Sequence, residues 1–291
     1  SSMISRNEIS TTIISFLLIA STCCFAQFSM LKTANSEHLP HSTILTAMVL
    51  AETNGVYAGV SFDSHTIFEG HQYTTGNKDT LLLKVNSTGT TELVKQLELS
   101  RINQLYVNSD HSIYVVGWID EPLWIGSSQI NYHGGDDHFV GKMAPTGEII
   151  WGHGFGSSTD DRSGPVSALT PDGGIVVAST FTMDVTFTNG QVFYVNTSNP
   201  ENKDIILAKF SSSGVLEWVY HVGNTSDEES VTGIAVGPDG SIYMAGWFYL
   251  SGRIGSQYMT GYGRSDIFLA KFDSNGIFQW AKNEGGVSDE Y

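Results

Sequence analysis

Apolar residues in this chain come in short runs, broken every few positions by glycine, asparagine, aspartate or proline. No stretch after residue 27 keeps a helical period of apolar positions, so strands and turns are predicted throughout. Two phrases recur. One reads DTLLLKV from Asp79, DHFVGKM from Asp137, DIILAKF from Asp204 and DIFLAKF from Asp266, at intervals of 58, 67 and 62 residues. Ten residues after each aspartate stands Gly89, Gly147, Gly214 or Gly276, and four further on stands Leu93, Trp151, Trp218 or Trp280. The other phrase precedes the first: ILTAMVLAETNGVYAGVSF, INQLYVNSDHSIYVVGWI, VSALTPDGGIVVASTF and VTGIAVGPDGSIYMAGWF. Each version is an apolar run, a turn, and a β-branched or aromatic run, which is a hairpin signal. LAKFDSNGIFQWAK is a second hairpin, turning at Ser274-Asn275-Gly276.

Each unit therefore holds four short antiparallel strands in about 60 residues, a period that marks a repeat architecture. The units run 43–94, 101–152, 165–220 and 231–282. Runs such as IFLAKF and IYMAGWF are apolar at successive positions, as expected when both faces of a sheet are covered. The expectation is an all-β fold, a β-propeller of four-stranded antiparallel blades, with a β-sandwich array or β-solenoid as the alternative. Residues 283–291 include GGVSDE, which matches the GNTSDE that leads into the fourth unit. A chain truncated at the start of a fifth unit is the corresponding expectation.

Residues 1–26 change the picture of the compartment. Arg6, the apolar stretch IISFLLIA and the small-residue stretch STCCFAQ follow the order of a secretory signal peptide, with cleavage expected after Ala26 and a lead-in at 27–42. That apolar stretch is too short to span a bilayer, so no transmembrane helix is expected in the mature chain. Both cysteines, Cys23 and Cys24, lie inside this segment. The mature chain would then have no disulfide, no zinc-cysteine site and no cysteine nucleophile. A net charge of −16, from 30 acidic and 14 basic residues, disfavours nucleic acid and anionic membrane surfaces as partners.

The phrases GIAVGPDGSIYMAGWF and SDIFLAKFDSNGIFQWAKNEGG, followed by SDE, resemble the bacterial β-propeller repeat family often called SBBP. The resemblance covers most of residues 43–291. It implies an exported, often cell-surface, bacterial propeller, and it implies no shared activity and no catalytic residues.

Recurring residues are expected to build the scaffold: the four aspartates, Lys84, Lys142, Lys209 and Lys271 five positions on, and the tryptophans at 151, 218 and 280. Trp118 and Trp247 end the second strand of their units, where an indole on an open face could stack on sugar rings. The connectors carry acid at Asp160, Asp161, Asp227, Glu228 and Glu229, an expected acidic rim with at most weak Ca²⁺ binding and no other cofactor. NYHGGDDH places His133 and His138 around Asp136 and Asp137 in one loop, with His153 on the next connector, a possible two-histidine and carboxylate site but without a helix-borne metal spacing. The connections between second and third strands, 63–78, 120–136, 182–203 and 249–265, differ most between units, and binding specificity is expected there. The functional expectation is a non-enzymatic interaction or adhesion module for a protein or glycan. An extracellular polysaccharide hydrolase or lyase, and a structural spacer, are the alternatives.

Overall fold

In the computed structural model the described residues are 44–51, 55–158, 164–194, 203–223 and 229–286; the expected signal peptide, the lead-in and both cysteines lie outside them. The described residues form strands and no helix, and thus no helix long and apolar enough to cross a membrane. The first sheet pairs β1 (Ile44–Leu50), β2 (Val56–Phe68), β3 (His71–Val85) and β4 (Thr91–Leu97) in chain order. In the second, β5 (Arg101–Val107) and β6 (Ile113–Ile119) are followed by a separate ribbon of β7 (Leu123–Ile125) and β8 (Ser128–Ile130). The sheet then resumes with β9 (Asp137–Met143) and β10 (Ile149–Gly156). The third begins with β11 (Val166–Leu169) and β12 (Ile175–Phe181). Its next two strands, β13 (Val185–Phe187) and β14 (Val192–Phe193), leave it, and β15 (Asp204–Phe210) and β16 (Leu216–Val222) complete it. The fourth pairs β17 (Glu229–Val236), β18 (Ile242–Ile254), β19 (Gln257–Phe272) and β20 (Phe278–Glu284) in order.

Among the described residues the hairpin turns follow from their glycines, except at β5–β6, where His111 takes the left-handed place with φ of 64°. Gly276 has φ of 75°, a left-handed value that costs a side chain but not glycine. Its N–H bonds to the Asp273 carbonyl at 3.0 Å while Asp273 N–H bonds to Ile277 at 2.9 Å. The register slips at Lys271/Phe272, as a type I turn followed by a bulge requires.

Alternation along each third strand sends side chains to two different cores. Ile206, Ala208 and Phe210 pack with Tyr114, Val116 and Val140 of the second sheet. Ile205 and Leu207, one residue out of phase, pack with Met244, Phe268 and Phe272 of the fourth. Leu82 and Tyr57 of the first sheet join Val115, Phe139 and Met143 of the second. The sheets are thus stacked face to face in chain order, and the successive apolar positions of DIILAKF are explained by cores on both sides. Each fully buried side chain of this size contributes about 1.5–3 kcal/mol.

Two of the second-to-third-strand connections are not loops. β2 and β3, and likewise β18 and β19, continue as long ribbons beyond their sheets, past irregularities at Asp63/His65 and Tyr249/Ser251. A left-handed residue marks each irregularity at the same place in the repeat, two positions after Phe62 and Phe248: Ser64 (φ 63°) and Leu250 (φ 57°). A third connection crosses sheets. β13 pairs with β10 through Phe155–Phe187 and Gly156–Thr186, so the second sheet gains two outer strands. No turn residue or alternation announces this, because the partner strand lies in the preceding unit.

Candidate functional site

The recurring residues hold the scaffold. Asp79, Asp137, Asp204 and Asp266 are all buried. Asp137 Oδ2 accepts the His133 N–H at 2.8 Å and pairs with its ring Nδ1 at 3.0 Å. Asp266 Oδ2 accepts the N–H groups of Tyr262 at 2.9 Å and Gly263 at 3.2 Å. Asp204 meets His221 Nε2 at 2.6 Å, and Asp79 accepts from Gln96 Nε2 at 2.5 Å. Each aspartate thereby ties its strand to a neighbouring strand or connection. Burial pushes the Asp137 carboxyl above the usual carboxylate range, against the two His133 bonds that hold it down. The side of these carboxylates facing the next connector leaves no room for a side chain: a Cβ on Gly156 would lie 2.3 Å from Asp137 Oδ1, and one on Gly285 1.4 Å from Asp266 Oδ1.

Two of the lysines five positions on clamp the first hairpin of their unit, whereas Lys84 pairs with Glu92 of its own second hairpin at 3.0 Å. Lys142 reaches Asp110 at 2.9 Å and Lys209 reaches Asp172 at 2.6 Å, both aspartates being turn residues. Lys84, Lys142 and Lys271 also lie over the rings of Tyr57, Tyr114 and Tyr243, their cross-strand partners. Burial would raise Asp172, but bonds from Lys209, Thr170 and Gly174 prevail and hold it at about 2.

The fourth-strand tryptophans are inter-sheet contacts. Trp151 donates to the Ser212 carbonyl of the third sheet's turn at 3.2 Å, and Trp218 to Ser274 of the fourth sheet's turn at 3.4 Å. The histidines disperse instead of converging. His138 is buried with ring centroids of Phe155 and Phe181 at 5.4 and 5.0 Å, and its Nε2 lies 3.1 Å from Ser179 Oγ. His153 Nε2 meets the Gly214 carbonyl at 2.6 Å, and burial lowers its pKa.

The two candidate ligand-stacking tryptophans occupy unlike places. Trp118 shares its strand face with Tyr114 and Val116, so it points toward the third sheet; Arg101 lies 5.1 Å over its ring and its Nε1 is buried. Trp247 shares its face with Tyr243, on the side of the fourth sheet turned away from the third. Of the acidic connector residues, Asp160, Asp161, Asp227 and Glu228 lie outside the described residues. Glu229 is fully buried at the start of β17, where its N–H bonds to Lys203 at 2.9 Å, so it is not on an open rim. Among the described residues, no three His, Cys, Asp or Glu side chains are grouped to hold a metal ion.

The second-to-third-strand connections expose aromatic rings together with the aliphatic side chains of Ile67, Val192 and Leu250. Trp124, Tyr194, Tyr258 and Tyr262 are between 57% and 75% exposed, and they are the large exposed aromatics among the described residues. All four lie within 120–136, 182–203 and 249–265, and Ile67 at 55% exposure tips the connection of the first unit. Trp124, Tyr258 and Tyr262 stand on two-stranded ribbons, and Tyr194 directly follows β14. Leu123 and Ile130 of the β7–β8 ribbon are buried in the core between first and second sheets. Sequence reasoning does not single out these four aromatics, although all stand in variable segments; Trp124 is a lone aromatic in EPLWIGS, Tyr194 follows Phe193, and Tyr258 and Tyr262 share one segment. The same region carries Asp120, which burial and neighbouring Asp136 push up to about 6 against the pull of Lys78.

No family model matches the chain. It is 23% identical over 183 residues to the regulatory protein FlaEY of Caulobacter vibrioides, a match covering 61% of this chain and 18% of that protein. The chain thus spans less than a fifth of that relative's length. Among solved structures, a gluconolactonase from Xanthomonas campestris aligns at 15% identity over 81% of this chain and 75% of its own, with a TM-score of 0.33.

Proposed function

We propose that the four stacked sheets are blades of a β-propeller in an exported bacterial protein, and that the chain is a non-enzymatic binding module whose second-to-third-strand connections engage a protein or glycan. One observation carries this reading: the large exposed aromatics among the described residues all sit on those connections. The residues that recur in every unit are spent on scaffold contacts, which leaves the connections as the variable part. An exposed ring held on a buried ribbon offers stacking area at little conformational cost.

The test is retention of the protein on a glycan array and on a panel of immobilised extracellular proteins. Loss of one stacked ring should cost about 1.5 kcal/mol, or roughly tenfold in affinity. Trp124→Ala, and Tyr258→Ala with Tyr262→Ala, should each weaken retention by that factor or more. Retention unchanged in both variants would sink the reading, and so would accumulation of cleaved glycan.

A further inference from the structure

The third and fourth sheets carry the same phrase and end in different surroundings. In the third, Ile205 and Leu207 are fully buried against the fourth sheet. Their equivalents in the fourth, Ile267 and Leu269, are each 43% exposed. Val140, at the place of Leu269 in the second sheet, is fully buried, as is Leu82 in the first. One face of the fourth sheet is therefore the docking face of the other three, left uncovered among the described residues.

Two more residues on that face repeat the pattern. Trp151 and Trp218 each lie against the left-handed glycine of the next sheet's turn. A Cβ on Gly214 or Gly276 would meet the ring at 2.6 or 2.7 Å. Each indole N–H then reaches the carbonyl two residues before that glycine, Ser212 or Ser274. Trp280 is the third tryptophan of this series, and its ring neighbour is Tyr243 of its own sheet at 6.4 Å. Tyr114 likewise donates across to the Gly173 carbonyl of the following sheet at 2.5 Å, and Tyr243 stands at its place in the fourth.

We propose that this face docks a further four-stranded sheet of the same repeat, contributed by the same polypeptide. Its turn would receive Trp280 on a left-handed glycine with a carbonyl two residues earlier, and its first hairpin would offer a carbonyl to Tyr243. A second copy of the chain is the lesser candidate, because the complementary surface in this chain is already covered. That surface is the Leu81 and Leu83 face of the first sheet, and both are only 1% exposed. The motif GGVSDE at 285–290 supports the same occupant, since GNTSDE at 223–228 leads directly into β17. The inference rests on sheet packing and not on the binding reading above, so either can fail alone.

The coding sequence after the Tyr291 codon is read, and the chain is expressed with one more unit. The expected unit has an aspartate about 60 residues after Asp266, with lysine five and glycine ten positions beyond it. Amide exchange in β19 and β20 should then slow by roughly tenfold or more, while β15 and β16 stay unchanged as a control for folding. Trp280→Ala or Leu269→Asp in the extended chain should restore the fast exchange. A stop codon or unrelated sequence overturns the proposal, as does a further unit that leaves β19 exchange unaltered. A self-associating 291-residue chain made monomeric by Leu269→Asp, read by light scattering, would identify a second copy instead and also overturn it.

Discussion

Replacing Gly276 by alanine separates the backbone cost of a turn from the packing of one sheet on the next. At φ of 75° any Cβ costs about 1–2 kcal/mol. The new methyl would also lie 2.7 Å from Trp218 Cδ2 and 2.8 Å from Cε3, well inside contact distance. The indole must then slide, straining its 3.4 Å bond to the Ser274 carbonyl, and overpacking of this kind costs about 1–3 kcal/mol. The total is about 2–5 kcal/mol. Gly70 provides the comparison, with φ of 78° and nothing within 4 Å of its would-be Cβ, so Gly70→Ala should cost only the backbone part. Urea unfolding followed by circular dichroism reads both. A double-mutant cycle adds the second check: in a Trp218→Leu background, Gly276→Ala should fall back toward the Gly70→Ala value. Equal costs for the two glycines in the parent chain, or no coupling to Trp218, would refute the argument that this glycine is a receptor for the tryptophan.

Three further outcomes follow from the same contacts. Asp120 titrates at about 6 in the fold against about 4 when unfolded, so its protonated form favours folding: its contribution is present below pH ~4 and is lost as pH rises through ~6. Asp120→Asn should therefore raise stability by about 1–2 kcal/mol at pH 7.5 and leave it nearly unchanged at pH 4, measured by thermal unfolding at both values. Gly156→Ala should cost about 2–4 kcal/mol by displacing the Asp137 carboxylate, whereas Gly233→Ala, with nothing within 4 Å, should stay within about 0.5 kcal/mol of the parent in urea. Lys209→Met should destabilise by about 1–3 kcal/mol, since it leaves Asp172 and Glu217 without the ammonium at 2.6 and 2.9 Å; salt should weaken this difference only slightly at so buried a lysine.

Much of the candidate site was legible as a place and not as residues. The segments 120–136, 182–203 and 249–265 stand out in the sequence as the parts that differ between units, and the exposed aromatics lie there. Trp118 and Trp247 drew notice because strand ends open onto a surface, yet Trp118 turns toward the third sheet with its indole nitrogen buried. Trp124 escaped because a three-residue strand in a separate ribbon leaves no period to read. Glu229 looked like the end of an acid run, and only the pairing of β17 with β18 shows that it has already entered the sheet.

What the sequence determined by itself was local: the strands, and turns set mostly by glycines with a left-handed backbone. These depend on residues a few positions apart, and they repeat wherever the phrase repeats. The tertiary structure alone decided which face each strand presents to what. DIILAKF and DIFLAKF are nearly the same seven residues, yet Leu207 is fully buried and Leu269 is 43% exposed. Burial is a property of the sheet that lies alongside, and no strand encodes its neighbour.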